Sequence, residues 1–230
     1  MNPNSKAGPR WCCLPDADTV CSRAVAMILD AAASAIDARG CFRIVLAGGR
    51  TPFEVYRQLA SSAADWAAWQ VYFGDERCLP AGHAERNSVM AAAAWLDLVP
   101  IAPENVHPIP AEQGAAAAAR LYTAKIADVR PFDLVLLGMG ADGHTASLFP
   151  GHAYPLQEAV HAVHNAPKAP AERVSLSRMV LSDARDVLVL VTGAEKRQAL
   201  QQWQAGASLP VAQITARNSL TVLMDEAACG

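Results

Sequence analysis

The chain has 230 residues, 52% of them hydrophobic, and a formal net charge of −3. Such a length and composition suit one large domain with an ordinary buried core. No basic stripe interleaved with aromatics is present, so nothing points to nucleic acid, and an anionic ligand would have to be held by a few local cations.

No run of about 18 apolar residues suggests a membrane span. The start, MNPNSKAGPRWCCLPDAD, lacks the charged beginning and continuous apolar stretch of a signal peptide, so the expected location is the cytoplasm. The six cysteines at 12, 13, 21, 41, 78 and 229 show no paired spacing. They read as reduced structural thiols rather than as a disulfide or metal framework.

Residues 1–15 read as a flexible leader. Asp16 or Asp18 can then cap a helix carrying Val20, Ala24, Met27, Ile28, Ala31 and Ala35 at helical spacing, with Gly40 as its stop. Phe42 to Ala47 is a strand running into Gly48, Gly49, Arg50, Thr51 and Pro52, where Thr51 suits an N-cap and Pro52 a first helical position. Phe53, Tyr56 and Leu59 follow on one side of that helix.

Trp69 to Phe73 is a third strand, followed by Gly74-Asp75-Glu76-Arg77 and a polar loop. Asn87 or Ser88 can cap a helix with Val89, Met90, Trp95 and Leu96. After a proline-rich connection, the alanines from 115 to 119 continue into Leu121, Tyr122 and Ile126, a helix on propensity. Phe132 to Leu137 is a buried strand that stops at Gly138, Gly140 and Gly143, with Asp142 and His144 set into the turn. Thr145 is placed to cap a short helix from Ala146 to Phe149, which Pro150 and Gly151 break. Glu158 to His164 and Arg173 to Ser177 are close enough to pair antiparallel. Asp186 to Thr192 turns at Gly193 into a helix with Lys196 in its first turn, and Leu220 to Met224 is the last strand. The pattern predicts one α/β domain over 1–230, a Rossmann-like open sheet that is mainly parallel, with helices on both faces and a small antiparallel piece.

Gly138, Gly140 and Gly143 satisfy G-x-G-x-x-G after a strand, but a dinucleotide site needs a full helix there and an acid about 20 residues on, at the end of the next strand. Pro150 halts the helix, and Glu158 precedes a strand. No G-x-S-x-G supports a nucleophilic Ser147. His161 and His164 fall on opposite faces of a strand, His83, His107 and His152 read as loop residues, and neither HExxH nor a cysteine pair occurs, so no metal and no cofactor are expected. His144, in a glycine loop at a strand's C-terminal end with Asp142 nearby, can take a proton from water. Asp75 has a similar position, and from spacing alone a capping or ion-paired acid is an equal reading. Arg50 and Thr51 at a helix start, Lys196 at another and Arg173 at a strand start suggest phosphate together, though each alone reads as surface charge.

With these residues in hand, the sequence resembles the 6-phosphogluconolactonases, within the superfamily of glucosamine-6-phosphate deaminases. The segments that carry the resemblance are GGRTP at 48–52, DER at 75–77 with Asn87, GMGADGHTASLFPG at 138–151, Pro167-Lys168 with Arg173, and Gly193 with Lys196. Deaminases look like DGHIAFNEPG where this chain reads DGHTASLFPG. The chain departs from the family's GGSTP in carrying Arg50 at the serine position, which leaves Thr51 and backbone N–H groups there. The resemblance implies hydrolysis of 6-phospho-D-glucono-1,5-lactone by a water that His144 activates. Asp142 or Asp75 would support the histidine, Arg77 and the glycine turn would receive the carbonyl oxygen, and Gly48, Gly49, Arg50, Thr51, Arg173 and Lys196 would hold the phosphate. It implies a small phosphorylated sugar lactone as partner, with no nucleic acid and no membrane, and a monomer or weak homo-oligomer. The alternatives are an amino-sugar phosphate deaminase or isomerase on the same fold, and a sugar-phosphate-sensing domain without turnover.

Overall fold

The structure is a computed structural model and describes residues 8–230. Strand β1 (Arg10–Leu14) precedes helix α1 (Ala17–Arg39). Asp16 caps this helix by accepting from the Thr19 N–H at 2.7 Å, and Gly40 closes it in the left-handed region at φ 73°. Strand β2 (Phe42–Leu46) leads to α2 (Arg50–Leu59), then β3 (Trp69–Phe73), β4 (Asp75–Arg77) and α3 (Asn87–Ala94). Next come β5 (Val106–His107), α4 (Ala115–Lys125) and β6 (Phe132–Gly138). The chain continues through β7 (Val160–Val163), β8 (Arg173–Leu176), α5 (Arg178–Leu181), β9 (Ala184–Val191), α6 (Arg197–Gln204), β10 (Ser219–Asp225) and α7 (Glu226–Cys229).

Seven strands form one sheet in the order β1-β10-β9-β6-β2-β3-β5, and every neighbouring pair is parallel. Phe132 to Leu137 of β6 are buried without alternation, as a strand covered on both faces must be. Helix α1 lies along the sheet against β2, β6, β9 and β10 and packs on α2. From β2 the chain winds outward through β3 and β5; from β6 it winds the other way through β9 and β10. The boundary between β2 and β6 is therefore the point where the winding reverses, and parallel pairing of Ile44 with Leu134 and Val45 with Val135 sets their C-terminal ends side by side. Ligands of open α/β sheets bind in such a crevice.

The antiparallel piece is a separate three-stranded sheet, β4-β8-β7, and not an extension of the parallel one. Gly74 is the pivot: its N–H donates to the Leu46 carbonyl of the main sheet, and its own carbonyl accepts from the Leu176 N–H of the small one. The GDER segment, read as a turn and loop, is thus partly a strand.

Several local expectations are corrected. Residues 10–14 of the supposed leader are ordered, because β1 finds parallel partners along β10 from Thr221 to Asp225; residues 1–7 lie outside the described residues. Helix α2 starts at Arg50 with Gly49 at the N-cap, since the positive φ of Gly49 (113°) turns the chain two residues earlier than Thr51 would. No helix spans Ala146 to Phe149: Ala146 sits at φ 48°, and a bridge between Thr145 and Leu148 closes a tight turn instead. Cys13 and Cys229, 216 residues apart, are joined in a disulfide, with Cα atoms 6.5 Å apart. Strand pairing brings them together, which sequence spacing cannot register. Cys12, Cys21, Cys41 and Cys78 are free thiols. By length and mean hydropathy alone α1 would suffice to cross a membrane, although charged residues interrupt its apolar run. Here Val20, Ala24, Ile28, Ala32 and Ala35 form its buried face against the sheet.

Candidate active site

A cavity of about 340 Å³ opens where β2 and β6 end, lined by Gly48 and Gly49, Asp75 and Arg77, Gly138, Gly140 and His144, Lys168, Arg173 and Lys196. Residues separated by up to 148 positions thus meet because four strands, β2, β4, β6 and β9, deliver their C-terminal ends or following turns to one place, and β8 brings Arg173. Arg50 and Thr51 line an adjoining cleft of about 550 Å³ that shares Gly48, Gly49, Gly138 and Lys196 with the cavity.

His144 is held in the turn after β6 by its backbone carbonyl, which accepts from the Gly140 N–H at 2.9 Å. The Thr145 hydroxyl donates back to the Gly138 carbonyl at 2.8 Å. The imidazole Nδ1 lies 2.5 Å from Asp142 Oδ1. An ionised carboxylate can only accept, so the proton sits on Nδ1 and Nε2 carries the lone pair. Burial pushes the His144 pKa below its usual value, and the hydrogen bond and charge of Asp142 oppose this without cancelling it. For Asp142, burial works upward, but the hydrogen bond and charge of His144, with Lys168 3.9 Å away, outweigh it and hold the carboxyl below its ordinary value. The pair therefore presents a neutral imidazole beside a carboxylate at neutral pH. Gly140 is required here: a Cβ at that position would lie 2.0 Å from His144 Nδ1 and 2.5 Å from Asp142 Oδ1.

Asp75 does not orient His144. It is 5% exposed, and its carboxylate accepts from Ser147 Oγ at 2.6 Å and Asn87 Nδ2 at 2.9 Å. The spacing left Asp142 and Asp75 open as the histidine's partner; the hydrogen bonds assign it to Asp142 and leave Asp75 as a charge felt through space. Asn87 in turn packs so close to Gly48 that a Cβ there would meet Asn87 Oδ1 at 2.0 Å.

Neither Asn87 nor Ser88 supplies the side-chain cap of α3. Glu76, fully buried, reaches the helix start instead, accepting from the N–H groups of Asn87 (2.7 Å) and Ser88 (2.9 Å) and from the Ser88 hydroxyl (2.7 Å), with Arg86 Nε 3.5 Å away. This network fixes Asn87, and so Asp75. The DER pattern marks Glu76 but carries no sign that it acts on a helix eleven residues later.

The cations divide into two groups. Lys196 follows β9 on a short 3-10 turn and lines both spaces, its side chain 22% exposed. Across the cleft, α2 begins without any side-chain cap, so its first N–H groups, in the cleft-lining segment Gly49 to Thr51, have no helical partners. Thr51 Oγ1 shares a hydrogen bond with Thr192 Oγ1 at 2.6 Å, and the Gly193 N–H is held by Asp225 at 3.0 Å. Arg173 is different. The residue is 5% exposed, and its guanidinium donates to the carbonyls of Lys168, Ala169 and Pro170, so much of its donor capacity goes to shaping the loop that presents Lys168. Arg77 lines the cavity with one nitrogen tied to the Glu85 carbonyl. Lys168, which the sequence marks only as part of a motif, stands beside Asp142.

A family profile described as glucosamine-6-phosphate isomerases/6-phosphogluconolactonase matches residues 15–223. The chain is 38% identical to a 6-phosphogluconolactonase of Streptomyces coelicolor, over 92% of this chain and 88% of the relative. It is 36% identical to a 6-phosphogluconolactonase of Nostoc sp., over 82% of each. The crystal structure of a 6-phosphogluconolactonase from Thermotoga maritima matches it with a TM-score of 0.89 and 26% identity, over 95% of this chain and 100% of that one.

Proposed function

The chain belongs to the glucosamine-6-phosphate isomerase/6-phosphogluconolactonase family, and on that footing we propose that it hydrolyses 6-phospho-D-glucono-1,5-lactone to 6-phosphogluconate. The observation that supports this most directly is the His144–Asp142 pair opening on the same cavity as the Gly48 turn and Lys196.

A δ-lactone is an activated ester, so a positioned water suffices without a covalent nucleophile. His144 Nε2 takes the proton of that water as its oxygen attacks the lactone carbonyl carbon, and Asp142 stabilises the imidazolium that forms. The negative charge moves to the carbonyl oxygen, where Arg77 and the backbone N–H groups of the glycine turns are the available donors. Collapse of the tetrahedral intermediate breaks the bond to the ring oxygen, which recovers the proton from His144. The 6-phosphate lies toward the uncapped start of α2 at Gly49, Arg50 and Thr51 and toward Lys196, with Arg173 as the wall that holds the Lys168 loop. Asp75, locked between Ser147 and Asn87, sets the field around His144 and moves no proton. We place the reaction in the cytoplasm, on a monomer or weak homo-oligomer; neither cysteine of the disulfide lines the cavity.

The test is a stopped-flow assay with freshly generated lactone, corrected for spontaneous hydrolysis. His144→Ala should lower kcat by about 10² to 10⁴ with modest change in KM. An enzyme without lactone turnover, or a variant with unchanged kcat, would end this reading.

A further inference from the structure

We infer that Tyr154 is a positioning residue for His144, clamping the turn that follows the histidine from outside the cavity. The inference rests on His144 acting as the base.

Immediately after His144 the chain takes a path that L-residues avoid: Ala146 sits in the left-handed region at φ 48°, a conformation that persists only where the surroundings over-determine it. The determinants are on the structure. Ser147, fully buried, uses all of its polar atoms: its N–H donates to Ser175 Oγ (3.2 Å), its hydroxyl to Asp75 (2.6 Å), and its carbonyl accepts from the Tyr154 hydroxyl (3.0 Å). The same Tyr154 oxygen accepts from the Phe149 N–H at 2.9 Å. One hydroxyl therefore bridges the two ends of the segment 147–149. That segment carries the Phe149 ring, 1% exposed, whose centroid lies 4.8 Å from that of His144. Phe149 is the apolar cover behind the imidazole, with Arg173 on it at 5.8 Å. Tyr154 is itself fixed by rings on either side, His152 at 6.3 Å and His161 at 5.1 Å, and His161 is anchored by Glu158 at 3.1 Å.

The hydroxyl does two things for the base. It keeps the ring at the distance Asp142 requires, and it keeps Phe149 closed over it. The charged groups facing His144 are Asp142, Lys168 and Asp75, with Arg173 and the His152 ring across Phe149; removing the Tyr154 hydroxyl deletes none of them. What changes is the order of the turn and its exclusion of water.

Tyr154→Phe removes the bridge and retains the ring. We expect kcat to fall about 3- to 10-fold with KM within twofold, since small misplacements of a reacting group are expensive while remote binding contacts persist. The acid limb of the kcat profile should move up toward the ordinary imidazole value as water reaches the ring. A merely structural role would lower the amount of folded enzyme and leave the limb where it was. Phe149→Leu, which keeps apolar bulk without the ring contact, should show the same two signatures and serves if Tyr154→Phe fails to fold. Wild-type kcat and an unmoved limb in either variant overturn the inference. If His144→Ala is inactive while Tyr154→Phe is unaffected, only this inference falls; if His144→Ala is fully active, the base assignment falls first.

Discussion

Gly140→Ala is the sharpest probe of the site, because the structure separates its effect on the backbone from its effect on the His144–Asp142 pair. Gly140 does not occupy the left-handed region, so alanine carries no left-handed backbone penalty there. The added methyl, however, would stand 2.0 Å from His144 Nδ1 and 2.1 Å from Cε1. Ordinary contact needs roughly 3.5 Å, so the imidazole must retreat by about 1.5 Å. The Asp142 carboxylate, 2.5 Å from the same methyl, must shift as well, and the hydrogen bond that holds the tautomer is disrupted. A misplacement of that size costs on the order of 10²-fold in rate, about 2.7 kcal/mol of transition-state stabilisation. The assay is lactone hydrolysis under saturating substrate, with the thermal midpoint measured in parallel. We expect kcat near 1% of wild type, KM little changed and a midpoint within a few degrees. A variant that keeps full kcat would refute the claim that the His144–Asp142 geometry carries the chemistry.

Because burial lowers the His144 pKa and the base works unprotonated, the acid limb of kcat/KM should lie below pH 6.5, the ordinary imidazole value; a limb above it would contradict the assignment. Asp142 raises that pKa, so Asp142→Asn should shift the limb to still lower pH while reducing kcat at least tenfold through loss of orientation. Glu76→Ala strips the N-terminus of α3 of its acceptor and leaves the buried Arg86 with Glu112 as its remaining ion-pair partner, beside the Ile109 carbonyl. It should cost about 3 kcal/mol in chemical denaturation, and a loss under 1 kcal/mol would show that water replaces the carboxylate. Breaking the Cys13–Cys229 bond with a dithiol should lower stability by about 2 to 4 kcal/mol. Cys13→Ser should then show one thermal midpoint with and without reductant; equal midpoints for the reduced and oxidised wild-type protein would mean the bond adds nothing.

The main elements were legible in the sequence where local rules suffice. Asp16 and Gly40 bound α1 as their side chain and backbone freedom dictate, and short, mostly apolar runs mark β2, β3, β6 and β9 as strands covered on both sides. The glycine turns after β2 and β6 and the histidine in the second were equally visible, because positive φ and close backbone approach leave their mark residue by residue. The antiparallel pair β7 and β8 was legible too, but β1, β4 and β5 were not, since strands of two to five residues gain their hydrogen bonds only from partners far along the chain. The short helix expected after Thr145 failed for a related reason: tertiary contacts from Tyr154, Ser175 and Asp75 overrule the local preference and hold Ala146 in the left-handed region.

At the site, the sequence by itself determined the chemical inventory: a histidine, two carboxylates, several cations and the glycines that leave room at the turns. Which carboxylate serves His144 was decided only in three dimensions. Asp142, two residues from the histidine, reaches Nδ1, while Asp75, beside the same cavity, is claimed by Ser147 and Asn87, 72 and 12 positions away. The fate of Arg173 was decided the same way, by loop carbonyls that consume its donors, as was the pairing of Cys13 with Cys229. A hydrogen bond depends on distance and direction in space, and residue spacing fixes those only within a single turn of chain.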